Sequence, residues 1–422
     1  MNDWVDHCDL LIVGAGPAGL SAAQAAAEAG VAAVVLDDNP RPGGQVWRHG
    51  PGFAPPRPAR PLLSTLARPP LRYLPGTRIV DAPEPGVLLV EDEQRGWLLR
   101  YRQLILCCGA RELLLPFPGW TLPGVTGVGA LQALVKGGMP LRGERVVVAG
   151  SGPLLLASAA TARQAGATVV GMFEQAPLSQ VRRFALNLWR WPGKAAQAAA
   201  LARRGYRPGA WVVEALGTDA LQAVRVQTNG RVRTLVCDRL ACAFGLVANT
   251  ELASMLGCQL SAGTVAVGAG QRTSVEGVYA AGECTGVGGN ELARVEGRIA
   301  GLTATGRHAE AAALAGRHRR WQAFARQLQA SFELNPAIAQ LARPDTLLCR
   351  CEDVSVAEVA GHTGWAQAKL HTRCGMGACQ GRVCGTAARA LFGWGPGNPR
   401  APLVPARVAT LGVYGTGGTG DD

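Results

Sequence analysis

Cysteines crowd one short stretch of this sequence. Cys349 and Cys351 form a C-x-C pair, Cys379 and Cys384 a C-x4-C pair, and Cys374 stands between them, so five of the chain's twelve cysteines lie within residues 349–384. Four thiolates suit a structural zinc or an iron–sulfur cluster. Zinc ribbons favour C-x2-C pairs, whose turn aims both sulfurs at one ion, whereas a C-x-C pair spreads its sulfurs in a way that fits two irons. Spacing therefore favours a 2Fe–2S centre, with zinc and unliganded thiols as the alternatives. Gly375, Gly377 and Gly381 add to the case, because bare backbone lets amides approach inorganic sulfide and form N–H···S bonds that raise the potential. His362 and His371 lie in the same stretch. A Rieske-like centre would use them, but four suitable cysteines leave them as surface residues.

Near the start, "CDLLIVGAGPAGLSAAQAAAEAGVAAVVLDDNPRPGGQ" carries a different chemistry. Residues 10–13 read as a buried strand, and Gly14, Gly16 and Gly19 supply G-x-G-x-x-G before an Ala-rich helix. Gly14 allows the turn, Gly16 lets backbone meet a pyrophosphate, and Gly19 lets helix and strand pack closely. Pro17 and Ala18 open the helix, whose first amides face phosphate. Asp37, ending the next strand, is placed to accept hydrogen bonds from an adenosine ribose. Gly44 and Gln45 in "RPGGQ" resemble the Gly-Gly-Gln segment of flavoprotein reductases, which selects FAD over NAD. "LILCCGARE", with Gly109, resembles the strand that returns to a flavin domain. "VEGVYAAGECTGVGGNELARVEGRIAG" resembles the late flavin motif, with Gly282, Glu283 and Gly289 as contacts and Glu283 where Asp is more usual.

A second opening, "ERVVVAGSGPLLLASAATARQAGATVVGMFE", repeats the pattern with Gly150, Gly152 and Glu174. Its third glycine is Leu155, which pushes the helix off the strand or reshapes the groove. A retained fold with a vacant or repurposed pocket is the expectation, and NAD(P) binding the alternative.

These motifs need scaffolding. At 422 residues the chain calls for two or three domains. We expect an α/β flavoprotein with two dinucleotide-binding domains, the second inserted in the first, and a small cysteine-rich domain behind them. Residues 1–118 and 242–306 form the FAD-binding domain and 119–241 the inserted Rossmann unit, with joints near "PFPGWTLP" and "ACAFGLVAN". Residues 307–343 are an Arg-rich helical linker or docking surface, 344–395 the cluster domain and 396–422 a tail. Neither nucleotide domain contains C-x-x-C, and Cys8, Cys107, Cys108, Cys237, Cys242, Cys258 and Cys284 read as small buried residues. The net charge of +12 is almost wholly arginine, scattered and not interleaved with aromatics, which argues against nucleic acid as a partner. No segment has the roughly 20 apolar residues of a membrane span and no secretory signal precedes the first strand. A cytoplasmic protein, at most peripheral at the inner membrane, is expected.

"CRCEDV" followed by "TRCGMGACQGRVC" resembles the bacterioferritin-associated-ferredoxin-like module fused to certain flavoprotein subunits. "LPFPGWTLPGVTGVGALQALVKGG" and "VVVAGSGPLLLA" are similar to the same family. It comprises the non-amine-oxidising subunits of heteromeric dehydrogenases: opine oxidases, D-hydroxyproline dehydrogenase and hydrogen cyanide synthase, with heterotetrameric sarcosine oxidase and dye-linked L-proline dehydrogenase more distant. The resemblance covers residues 9 to about 395 and implies a thioredoxin-reductase-like fold. It implies Cys349, Cys351, Cys379 and Cys384 as 2Fe–2S ligands. Cys374 replaces a commonly small residue and is expected to be a bystander, with substitution as a ligand the alternative. It further implies FAD in this chain, FMN at the interface with a partner, and no use of NAD(P). The implied partners are a catalytic amino-acid-oxidase-like flavoprotein chain, a small ferredoxin-like protein and a respiratory acceptor. The implied activity is oxidation of the C–N bond of an amino acid, imino acid or opine, with electrons relayed through this chain. Two rivals are a self-sufficient NAD(P)H-dependent reductase and a zinc-binding scaffold.

Overall fold

The computed structural model describes residues 5–413, apart from 202–204, 396 and 398. Residues 1–4 of the expected flavin domain, 202–204 of the expected inserted unit, and 396, 398 and 414–422 of the expected tail lie outside the described residues.

The first strand, Val5–Val13, ends in Leu10, Leu11, Ile12 and Val13, all buried. A strand apolar on both faces belongs inside a covered parallel sheet. It lies between Ala33–Leu36 and Gly96–Leu106, with Leu71–Leu74 beyond Ala33–Leu36, all parallel. Gly96–Leu106 is long enough for two partners on its other edge. Its first half pairs antiparallel with Val87–Glu91, which pairs with Arg78–Glu84, and its last residues pair parallel with Val278–Ala280. The chain thus leaves this sheet at Leu106 and rejoins it at Val278.

Between those points lies the inserted unit. Its parallel sheet runs Tyr206–Pro208, Thr168–Glu174, Arg145–Gly150, Arg239–Ala243 and Val125–Gly127, beside an antiparallel meander of Ala210–Gly217, Leu221–Thr228 and Arg231–Val236. Two short strands, Ala110–Glu112 and Leu246–Ala248, pair antiparallel and carry the chain between the units.

The helix Pro17–Glu28 is Ala-rich for a packing reason. Helix Asn290–Ala304 lies against it so closely that a Cβ on Gly297 would stand 2.0 Å from the Ala18 carbonyl oxygen, and one on Gly301 2.7 Å from that of Ala22. Only small residues permit two helix backbones to approach in this way.

The expected linker is helical, at His308–Ala313 and Ala315–Ser331, and it is not a bare surface. Phe324 meets Trp191 edge-on at 5.3 Å and tilts against Phe184 at 6.2 Å, so one face of the longer helix docks on the inserted unit. The cysteine-rich module follows with the hairpin Leu347–Cys349 and Val354–Ser355, then helices Val356–Ala360, Trp365–Thr372 and Cys384–Phe392. Its buried cluster is Leu348, Val354, Val359, three alanines and Cys349, Cys374 and Cys384. So few large side chains make a weak core without a further staple. The tail returns to the first sheet, where the Thr410 hydroxyl donates to the buried Glu91 at 2.6 Å. Of the seven cysteines read as buried fillers, Cys107, Cys237, Cys242, Cys258 and Cys284 are buried, while Cys8 and Cys108 are only partly so. No helix among the described residues is long and apolar enough to cross a membrane.

Candidate functional site

The first glycine turn is built by close contacts that separate the three glycines' roles. Gly14 has φ +100°, and a Cβ there would stand 2.4 Å from the Cys107 carbonyl oxygen. A Cβ on Gly19 would stand 1.7 Å from the Gly14 carbonyl oxygen. At Gly16 it would make only an ordinary contact with the Gly44 Cα, at 3.8 Å, so nothing in the chain clashes with a side chain there. Pro17 starts the helix, and Gly16, its N-cap residue, offers no side-chain cap. The first amides are therefore free for an anion.

Of the other expected contacts, Gly44, Gly282 and Asp37 adjoin this turn. Gly43 donates its N–H to the Ala15 carbonyl, which brings Gly44 onto Gly16. A Cβ on Gly282 would touch Ala18 at 2.8 Å. Asp37 is 5% exposed, accepts the Ala15 N–H at 2.6 Å and takes Asn39 on its other oxygen. Glu283 accepts the Gly289 N–H at 3.1 Å; burial pushes its carboxyl up, against that bond. Gly289 precedes a second long helix with no side-chain cap, Asn290–Ala304. Gly109 has φ +67° and open space around its α-carbon. Gln45 is exposed and accepts from Arg48 at 3.1 Å.

Three residues not singled out in the sequence also belong to these segments, two of them inside the late flavin motif. The Arg48 Nε, the Asn290 Oδ1 and the Arg294 Nε are buried with no hydrogen-bond partner. They are three of seven such atoms among the described residues, and Asn290 and Arg294 lie in the first turns of the helix Asn290–Ala304. The uncapped helix starts, the unpaired Arg48 and Arg294 donors and the Asn290 acceptor, beside an uncrowded Gly16, fit an adenine dinucleotide.

The second glycine turn is covered. Leu155 is fully buried among Val146, Val148 and Leu131. Beside Gly152 lies Phe332, 3.8 Å from where a Cβ would be. The Ser151 hydroxyl donates to the Phe332 carbonyl at 2.8 Å; Gln175 donates to the Glu333 carbonyl at 2.8 Å and accepts the Asn335 N–H at 2.6 Å. Residues 332–335 thus lie across the turn where a pyrophosphate would approach. Glu174 is spent internally too, accepting from Gly152, Ala176 and Tyr206 at 2.8, 2.9 and 3.1 Å. Burial nevertheless pushes its carboxyl up to about 7.

The fold brings all five clustered cysteines together. The sulfurs of Cys349, Cys374 and Cys384 lie within 4.8 Å of one another, all buried, and those of Cys351 and Cys379 are 4.0 Å apart. Cys379 is held down to about 4, first by the Cys384 thiol and then by the N–H groups of Val383 and Gly381. Cys384, which shares hydrogen bonds with Cys374 and Cys379, is pushed up in turn; so many sulfurs in one place suit metal ligation. The Gly381 N–H bonds the Cys379 sulfur, and the glycines also make room for the module's own side chains. Gly375 and Gly381 make room for the Trp365 ring, 2.6 and 3.2 Å from their would-be Cβ atoms, and Gly377 for Cys351, at 2.2 Å. The His362 and His371 rings stack on each other at 5.3 Å.

The strand Ala110–Glu112 joins the sites. Successive side chains point to opposite faces. Glu112 accepts the N–H groups of Gly129 and Ala130, at the start of helix Val128–Lys136 in the inserted unit. Arg111 faces the other way. It bonds Asn249 at 2.7 Å, pairs with Glu251 at 2.8 Å and donates to the Arg382 carbonyl at 3.3 Å, between Cys379 and Cys384. Asn249 in turn donates to the Cys108 carbonyl at 2.8 Å, next to Gly109. Trp120 anchors the module from the inserted unit, its indole N–H donating to the Leu347 carbonyl at 2.7 Å.

The chain is similar to known proteins. The family model of the pyridine nucleotide-disulphide oxidoreductases matches residues 8–312. Hydrogen cyanide synthase subunit HcnB of Pseudomonas protegens is 31% identical over 94% of this chain and 95% of its own. An opine oxidase subunit of Agrobacterium tumefaciens is 28% identical over 97% and 92%. Among solved structures, L-proline dehydrogenase from P. horikoshii superposes with a TM-score of 0.68 at 17% identity, covering 96% of this chain and 80% of its own. Thioredoxin reductase from T. acidophilum superposes at 0.54 with 22% identity, over 71% and 98%. The two superpositions establish the fold, a flavoprotein fold that implies FAD, and the cysteine cluster fits an iron–sulfur centre. The chain belongs to the pyridine nucleotide-disulphide oxidoreductase family, in the branch that holds these opine oxidase and hydrogen cyanide synthase subunits.

Proposed function

We propose that this chain is the electron-transfer subunit of a heteromeric dehydrogenase that oxidises the C–N bond of an amino acid, imino acid or opine. FAD would be held by Gly14, Gly16, Pro17, Ala18, Gly19, Asp37, Gly44, Gln45, Gly109, Gly282, Glu283 and Gly289, and a 2Fe–2S cluster by Cys349, Cys351, Cys379 and Cys384. When bound, the flavin supplies a two-electron carrier and the cluster a one-electron carrier. The protein's own part is to bind both, to exclude water from the buried sulfurs and to fix the two sites relative to one another.

The observation that carries this reading is the hydrogen-bonded path from the Cys108 carbonyl through Asn249 and Arg111 to the Arg382 carbonyl. It ties the flavin-side strand to the cysteine loop within one chain. The covered second turn supports the rest: with residues 332–335 across it, electrons come from a partner and not from NAD(P)H. The curated relatives are named as subunits, so a catalytic flavoprotein chain is the partner proposed, with FMN at their interface and a respiratory quinone or similar acceptor downstream. A small ferredoxin-like protein would complete the complex, in the cytoplasm.

The test is reconstitution. Alone, the purified chain should show little amine oxidation, and neither NADH nor NADPH should bleach its flavin. Co-expression with an amino-acid-oxidase-like subunit encoded beside it should bring dye-linked turnover. Rapid bleaching by a nicotinamide nucleotide, or strong turnover by the lone chain, refutes the assignment.

A further inference from the structure

The five sulfurs form a buried trio and an outer pair, joined by the hydrogen bond between Cys379 and Cys384. Cys351 and Cys379 are 4.0 Å apart, and Cys349, Cys374 and Cys384 lie within 4.8 Å of one another. Two thiolates on one tetrahedral metal, with bonds of about 2.3 Å, lie roughly 3.8 Å apart. Each group is therefore tight enough to serve one iron, and only one group has a sulfur to spare. Cys351 is exposed, whereas the trio is buried, with Cys374 fully inaccessible. Cys374 follows the left-handed Arg373 that ends helix Trp365–Thr372, and its N–H donates to the Thr372 hydroxyl oxygen at 3.2 Å. Its backbone is thus pinned at the trio and does not reach it by a chance rotamer.

We propose that Cys374 is a reserve ligand of the inner iron, able to replace Cys349 or Cys384, while the outer iron depends on Cys351 and Cys379 without a substitute. A thiol held beside a metal centre replaces a lost ligand without backbone movement. The proton leaves Cys374 as its sulfur bonds iron, and the displaced thiolate takes one up, so no oxidant or reductant is needed. The same spare sulfur keeps the inner iron bound if one protein–metal bond breaks in oxidising conditions. This inference rests on the iron–sulfur reading above.

The test uses the full-length chain and counts iron and acid-labile sulfide, with visible absorption and low-temperature EPR after reduction. Cys374→Ala should keep the wild-type iron content. Cys384→Ser should keep at least half of the iron with a changed EPR signal, and so should Cys349→Ser, which covers the case that one of them misfolds. The double variants Cys374→Ala/Cys384→Ser and Cys374→Ala/Cys349→Ser should hold at least fivefold less iron than the corresponding singles. Cys351→Ser should lose its cluster with Cys374 present. Single and double variants with equal iron overturn the proposal, as does loss of iron in Cys374→Ala alone. If the wild type itself holds no iron, the cluster reading fails first; if it does and the singles are empty, only the reserve role falls.

Discussion

Gly16 separates binding from folding. A Cβ at Gly14 meets the Cys107 carbonyl at 2.4 Å and sits at a φ of +100°, so Gly14→Ala should yield insoluble chain. At Gly16 the nearest atom is 3.8 Å away, and the added methyl enters the space left for phosphate. Gly16→Ala should therefore fold, with native circular dichroism, and retain less than about a tenth of the flavin on purification. Full flavin in that variant would remove the turn from the site. Glu174 makes a second residue-scale prediction. Its carboxyl is raised from 4.5 to about 7 in the folded chain, so its contribution is full below the unfolded value and is lost as pH rises through 7. The loss between pH 5 and 8 is on the order of 3 kcal/mol. Glu174→Gln should flatten the fall in melting temperature over that range, and an unchanged slope would mean that the three donors keep the carboxylate ionised. Asp37 and the glycines were legible because their type, spacing and position after a strand state a job. Cys374 was legible only as an alternative ligand: spacing along the chain says nothing of which sulfurs share a cavity, and its burial beside Cys349 and Cys384 follows the turn at Arg373.

At the scale of elements, the short strand Ala110–Glu112 does the joining. Arg111 holds Asn249, Glu251 and the Arg382 carbonyl together, and no motif pointed to it, because a crossing strand's partners lie far apart in sequence. Arg111→Ala should leave flavin and iron contents near wild type. It should raise amide hydrogen exchange across residues 379–384 and lower turnover of the assembled complex at least tenfold. Arg111→Lys should recover part of this, since it keeps the charge facing Glu251 but loses the fork. Unaltered exchange in the alanine variant would show that Trp120 and the tail seat the module without Arg111. The second glycine turn shows the opposite limit. Leu155 announced a changed groove, but not that residues 332–335 would fill it, since that segment reads only as the end of a polar helix. The packing of helix Asn290–Ala304 on Pro17–Glu28 through Gly297 and Gly301 was likewise hidden, because those glycines sit outside the phosphate motif.

At the scale of the whole molecule, the inserted order of two dinucleotide folds was readable from motif sequence alone, since a flavin strand resumes only at Val278. Less readable was how the third module attaches. It is clasped by Trp120, Arg111 and the tail through Arg382 and Leu403, not left on a tether. A module with so small a core and so many thiols points to a metal as its staple, and a chain clasped to its flavin domain points to electron transfer between them. The direct measurement is a count of flavin, iron, acid-labile sulfide and zinc in the full-length chain purified without oxygen, read with its visible spectrum. The account predicts one FAD, with about two irons and two sulfides per chain and no zinc. A colourless protein, or one holding zinc in place of iron, contradicts it.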